Sequence, residues 1–131
     1  MHRLPVTVYY EDTDMGGIVY HANYLKFIER GRSDWVRAQG VDQNALRGDG
    51  VVFAVRHIDA DFLGPARLDD RLSVETELAE LRGARFIMAQ RVVDVATARA
   101  LFVARVTIVA MYMDGRVARI PKGLRDRLAA G

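Results

Sequence analysis

The sequence predicts an α+β domain in which one long helix packs on one face of a curved sheet of about five antiparallel strands. Three observations predict it. Apolar residues recur at helical spacing in one stretch only, from about residue 21 to Gly40; everything after about residue 50 reads as period-two segments separated by turn signals; and 131 residues, 50% of them hydrophobic, suffice for one core and one domain, 1–131.

The first strand is expected over Leu4–Tyr10, where Val6, Val8 and Tyr10 alternate with Pro5, Thr7 and Tyr9 before an acidic cluster. The helix follows from His21 or Asn23. Tyr24, Ile28, Gly31 and Trp35 mark its buried stripe, Lys26, Arg30, Ser33 and Arg37 its polar side, and Gly40 its end. Gly31 in mid-helix costs about 1 kcal/mol relative to Ala, which predicts a close approach to a flat partner such as a sheet. The segment DQNALRGDG reads as a polar linker with room for one helical turn. Val51–Phe62 is extended, Leu72–Leu78 alternates, Arg82-Gly83 signals a turn, and Phe86–Val95 follows. Arg99–Met113 is apolar on both phases and stops at Asp114-Gly115, which predicts a last strand whose open edge pairs with a second copy. The final PKGLRDRLAA reads as a short helix with Pro121 near its start.

Composition excludes several function classes. There is no cysteine, so disulfides, thiolate zinc sites and a cysteine nucleophile are ruled out, in keeping with a reducing, cytoplasmic setting. The start MHRLPVTVYY does not read as a signal peptide, and no apolar run reaches the roughly 18 residues of a membrane span. The charge is uneven. Residues 1–80 hold 9 Lys+Arg against 14 Asp+Glu, whereas residues 81–131 hold 10 against 3, and a basic half invites an anionic partner. Nucleic acid is a poor candidate, because no aromatic ladder interleaves the basic residues.

The densest chemistry lies in YYEDTDMGGIVYH, Tyr9–His21, with three carboxylates, two glycines and a histidine. An EF-hand fails on count: with Asp12 as position one, position five is Gly16 and position twelve is Asn23, where a bidentate Glu is required. A transition-metal site from Glu11, Asp14 and His21 has only one local histidine, since His2 and His57 lie elsewhere. A solvated turn preceding a helix is the plainest reading. The other is hydrolytic: a carboxylate seven residues before His21, with glycines between, can fold back to face the free N–H groups of a helix start, placing a base or nucleophile beside an oxyanion site.

Extended to YYEDTDMGGIVYHANYLKFIERGR, the segment resembles the signature of hot-dog fold acyl-CoA thioesterases, in the branch that contains 4-hydroxybenzoyl-CoA thioesterase and the bacterial thioesterase associated with the Tol-Pal system. The similarity continues through FLGPARLDDRLSVETELAELRGARF, Gln90-Arg91-Val92 and IPKGL, nearly the whole chain. The resemblance implies that Asp14 is the catalytic carboxylate, acting on water or attacking the thioester itself, and that the His21 N–H binds the thioester oxygen. Tyr10 and His21 match active-site positions that orient Asp14, the water or the leaving thiolate; the plain alternatives are a core strand residue and a helix cap. Glu29 and Arg32 read as a structural ion pair, and Met15, Phe27 and Trp35 as core or interface.

The resemblance also implies an acyl-CoA substrate, no metal or tightly bound cofactor, and a homodimer whose sheets join, very often as a homotetramer built as a dimer of dimers. In the 4-hydroxybenzoyl branch a basic turn meets the nucleotide phosphates, which here points to Arg82 and Arg85, with Lys122 as a third candidate. Two other readings stand beside hydrolysis: a hot-dog dehydratase on 3-hydroxyacyl thioesters, against which the Asp14-to-His21 order argues, and a non-catalytic module that binds acyl-CoA, acyl carrier protein or Tol-Pal-linked envelope components.

Overall fold

A computed structural model describes residues 1–130. It contains β1 (His2–Thr7), a 3-10 turn (Tyr10–Asp12), α1 (His21–Ala38), α2 (Gln43–Gly48), β2 (Val51–Phe62), β3 (Arg71–Arg82), β4 (Arg85–Asp94), β5 (Arg99–Tyr112) and α3 (Lys122–Ala130). The five strands form one antiparallel sheet in the order β1-β3-β4-β5-β2. α1 lies across its inner face, the arrangement expected of a hot-dog fold. Among the described residues no helix is long and apolar enough to cross a membrane.

Gly31 is the close approach that the sequence predicts. A Cβ built there would stand 2.6 Å from Val74 Cγ1 and 3.0 Å from Thr76 Oγ1, so only glycine lets the helix backbone rest on β3. Tyr24, Ile28 and Trp35, on the same stripe, are buried. Beneath them the buried Gln90 side chain donates to Ile28 O and to Thr76 Oγ1, both at 2.9 Å, and accepts from Arg32 Nη1 at 3.1 Å. Each polar atom of that amide is therefore paired, which is what permits it in the core. Burial lowers the pKa of Arg32, and the nearby Glu29 charge opposes the shift.

Three expectations are corrected. β1 ends at Thr7 rather than Tyr10, because Val8 exchanges backbone hydrogen bonds with Asp69 and Asp70, and the Tyr9 N–H turns to the Asp12 carboxylate at 2.9 Å. Glu29 and Arg32 do not pair directly: Glu29 accepts from Ser33 Oγ at 3.1 Å while Arg32 reaches Gln90. Most consequentially, β5 is an interior strand between β4 and β2. Its buried phase, Phe102, Ala104, Val106, Ile108 and Ala110, faces the core, whereas Val103, Thr107, Val109 and Met111 on the other face are only half-buried, and the sheet's open edges belong to β1 and β2.

Those edges differ. β1 has six residues and contains Pro5, which lacks an N–H, so it is a poor template for pairing. β2 has twelve residues and no proline. On the outer sheet face Glu75, flanked by Arg3 and Arg91, is buried. Burial by itself would raise its pKa; hydrogen bonds and charge from Arg91, then Arg3, outweigh it and hold Glu75 below its ordinary 4.5.

Candidate active site

The segment before α1 closes on itself. Asp14 N–H donates to Ile18 O at 2.9 Å, Gly17 N–H returns to Asp14 O at 3.0 Å, and Thr13 bridges Val19. Gly17 takes φ +78°, a conformation that glycine adopts without strain. Gly16 serves the carboxylate instead. Its N–H donates to Asp14 Oδ1 at 2.8 Å, and a Cβ there would crowd that oxygen at 3.2 Å. One carboxylate oxygen is thereby fixed, and the other has no hydrogen-bond partner among the described residues.

The same loop is tied to the helix. Asp12 O accepts from Tyr20 N–H and from Asn23 Nδ2, both at 2.9 Å. The sequence marks Asn23 only as a possible helix start and not as a residue that ties the loop to the helix, although an amide on the buried stripe just inside a helix start is a visible signal. α1 begins without a side-chain cap, and Asn23 N–H already bonds Tyr20 O. The N–H groups of His21 and Ala22 have no acceptor among the described residues. An 18-residue helix thus presents free donors and the positive end of its dipole beside the Asp14 loop.

Asp14 N–H holds Ile18 O in the loop that leads into α1, and both Asp14 and His21, the first helical residue, are exposed. The His21 ring lies 4.6 Å from that of Tyr20 and 6.1 Å from that of Phe62, centroid to centroid. Tyr10 sits on the lip in the 3-10 turn, its side chain in solvent rather than in a strand or the core. Met15, expected in core or interface, is fully exposed at the tip of the turn, whereas Phe27 and Trp35 are buried. Next to His21 opens a cleft of about 390 Å³, walled by Ile18, Val19, Tyr24, Phe62, Leu63 and Pro65.

The basic residues gather elsewhere. Arg82 and Arg85 face each other across the β3–β4 turn, where Arg82 Nε pairs with Glu80 at 2.6 Å. Arg125 Nη1 donates to Gly83 O at 3.0 Å and so docks α3, with Lys122 one turn earlier, against that turn. Arg125 escapes the sequence reading, although its place three residues after Lys122 on a helix is the signal that finds it. Arg85 pairs with Val109 of β5, whereas the mouth lies by Phe102; seven residues of strand separate them, about 23 Å. One protomer therefore holds its basic turn and its Asp14 loop at opposite ends of the sheet. Among the described residues no group of three or more His, Asp or Glu side chains could hold a metal ion.

Residues 8–128 match the thioesterase-like superfamily. The chain belongs to that family. A thioesterase-like relative, the acyl-CoA thioester hydrolase YbgC of Escherichia coli, is 46% identical over 94 residues, covering 72% of this chain and 70% of that one. A probable thioesterase from Bartonella henselae has a similar solved structure, with TM-score 0.86 and 38% identity over 92% of this chain and 98% of that one. A 1,4-dihydroxy-2-naphthoyl-CoA thioesterase from Synechocystis is alike in fold, with TM-score 0.90 at 22% identity over 98% and 95% of the two chains. The five-stranded sheet around α1 is the hot-dog fold of this superfamily.

Proposed function

We propose that the protein is an acyl-CoA thioesterase, hydrolysing the thioester to a free acid and coenzyme A in a cytoplasmic setting. One observation carries the reading: Asp14 has one oxygen oriented by the Gly16 N–H and the other unpartnered among the described residues, beside an uncapped helix end with free N–H groups. The thioester oxygen accepts from the His21 N–H, whose donation strengthens as negative charge develops on that oxygen. Asp14 acts on the carbonyl carbon, through water or directly, and coenzyme A departs as the thiolate. His21 and Tyr10 orient groups at the mouth. No resident cofactor or metal enters this reading.

The active unit is a homodimer joined by β2 edges, since β2 is the long, proline-free edge, and dimers pair again in the homotetramer. A sedimentation run should give at least twice the 14.7 kDa chain mass; an active monomer contradicts it. Dimerisation also suits the separated basic turn, because a partner can bring its own basic turn toward a nucleotide bound at the other chain's mouth. Docking to acyl carrier protein or to Tol-Pal-linked envelope components is a further partner class.

Thiol release from acyl-CoA by the full chain tests the hydrolysis. Arg85→Ala should raise KM with kcat little changed, because contacts to the nucleotide stabilise ground and transition states alike. Arg82→Ala should do less, since Glu80 already engages Arg82. Added salt should raise KM as well, by screening over ~8 Å. An N-acetylcysteamine ester, which lacks the nucleotide, should respond to neither change. If Arg85→Ala leaves KM and its salt response as they were, the turn is not a nucleotide contact.

A further inference from the structure

Both carbonyls at the tip of the β3–β4 turn are held. Ala84 O accepts from the Ala110 N–H of β5 at 2.9 Å, and Gly83 O accepts from Arg125 Nη1 of α3 at 3.0 Å. The first bond continues the sheet, whereas the second reaches the turn from a different element. Gly83 depends on that second bond. It takes φ +51°, and a Cβ placed there would meet no atom within 4 Å, so packing at this position does not restrain the peptide that follows it.

Arg125 is well placed to act as a fixed donor. Leu124 and Leu128 of the same helix are buried, as are Ala118 and Ile120 just before it. The Ala118 N–H bonds Ala110 O at 2.9 Å, so one residue of β5 anchors both the turn and the chain that leads into α3. The Arg125 N–H opens the helical ladder on Pro121 O at 2.8 Å, and the Arg125 side chain is half-buried. None of these contacts involves β2, so they stand whether or not that edge is paired.

The cations around the turn are not equivalent. Arg82 is engaged by Glu80, and Arg125 by the Gly83 carbonyl. Arg85 is exposed and, among the described residues, has no ion pair or side-chain hydrogen bond. Its backbone is fixed on one side by pairing with Val109 of β5; on the other side lies the Gly83-Ala84 tip.

The geometry points to Arg125 as a positioning residue for coenzyme A: by holding the Gly83 carbonyl it keeps the β3–β4 turn in the one form that presents Arg85 to the nucleotide phosphates. This rests on the reading of Arg85 as a nucleotide contact. A tip free to rotate its peptide presents Arg85 correctly for only part of the time, and apparent affinity falls with that fraction. The nucleotide lies far from the reacting carbonyl, so the loss belongs in KM and not in kcat.

The Kd of coenzyme A is measured by calorimetry on the full chain, and kcat and KM for hexanoyl-CoA and for the hexanoyl N-acetylcysteamine ester by thiol release. Arg125→Met, which keeps an apolar stem and removes the donor, should raise Kd and KM about fivefold with kcat little changed, the loss of one hydrogen bond from a charged donor. The N-acetylcysteamine ester should not respond. Arg125→Lys, whose ammonium still reaches a carbonyl, should return KM to within about twofold of the parent. In an Arg85→Ala background, Arg125→Met should add less than about twofold, because a residue that acts through Arg85 has nothing left to position. Arg127→Ala is the control: it removes a different bond of α3, from Arg127 Nη1 to Gly40 O at 2.7 Å, and should leave KM unchanged. Should the methionine variant fail to fold, Arg125→Gln, whose shorter side chain stops short of Gly83 O, takes its place. Effects of Arg85 and Arg125 that multiply in full overturn the assignment, since Arg125 would then meet the nucleotide itself. A loss shared by both esters overturns it as well, because it marks a purely structural role. If Arg85→Ala raises KM and Arg125→Met does not, this inference falls alone; if Arg85→Ala leaves KM as it was, the nucleotide reading of the turn falls and takes this inference with it.

Discussion

Asp14→Asn should keep its fold and lose at least ~100-fold in kcat, the lower end for a missing general base, and more if Asp14 is itself the nucleophile. The substitution is a clean one in this loop. Asn Oδ1 can still accept from the Gly16 N–H, so the turn from Asp14 to Ile18 keeps its hydrogen bonds, while the freed oxygen is replaced by an amide nitrogen with no basicity. Asp14 lies on a solvent-facing loop, and a surface change of this kind moves stability by about 0.5 kcal/mol or less. A thermal melt beside the thiol-release assay separates chemistry from folding. Glu11→Gln is the control, because the Glu11 side chain makes no hydrogen bond to the loop or the helix start among the described residues; an equal loss there would name the wrong acid, and retained turnover in Asp14→Asn would sink the mechanism. Hydrolysis in ¹⁸O-labelled water under single turnover tests the direct route, since label enters Asp14 when water opens a mixed anhydride at the Asp14 carbonyl and never when Asp14 only activates water.

Gly31→Ala should destabilise the protein by about 2 kcal/mol, although the same change in an exposed helix would stabilise it by about 1 kcal/mol. The sign follows from space. The new methyl would lie 2.6 Å from Val74 Cγ1, 3.0 Å from Thr76 Oγ1 and 3.3 Å from Gln90 Nε2, and Val74 is fully buried with nowhere to go. The helix must then lift from the sheet, which also stretches the bond from Gln90 Nε2 to Ile28 O. For a domain of this size the loss corresponds to a melting point lower by roughly 5–10 °C, measurable by circular dichroism. An unchanged or higher melting point would mean that the contact relaxes at little cost.

Gly31 also illustrates what a sequence discloses. A glycine within a strongly periodic helix signals close approach, and the face it marks, Tyr24, Ile28 and Trp35, is the buried one because helical periodicity reports burial directly. Strand order is not written that way. The two apolar phases of Arg99–Met113 describe its faces, one buried and one half-buried, and say nothing of its neighbours, so the pattern suggests an edge where the fold has an interior strand. Tyr10 leaves its expected strand for a local reason: the alternation runs on through Val8-Tyr9-Tyr10, but the Asp12 carboxylate captures the Tyr9 N–H and turns the chain. At the mouth, Asp14, the glycines and His21 are legible because their spacing sits before a clear helix start. Phe62 is not, since it lies far along the chain from His21 and only the return of β2 past α1 brings the rings to 6.1 Å.

The division between an exposed mouth and a buried floor bears on how this lineage can change. Asp14, His21 and Phe62 face solvent, whereas Tyr24, Phe102 and Gln90 are packed and hydrogen-bonded or stacked in the interior. Phe62 is exposed, so substitutions there remove fewer packing contacts than substitutions at Tyr24 or Phe102, and the cleft wall can vary at a smaller cost in stability. A change in accessible depth is different. It requires Tyr24, its two hydrogen bonds and its stack on Phe102 to be replaced together, so the floor is the slowly changing part of the cleft and the wall the quickly changing one.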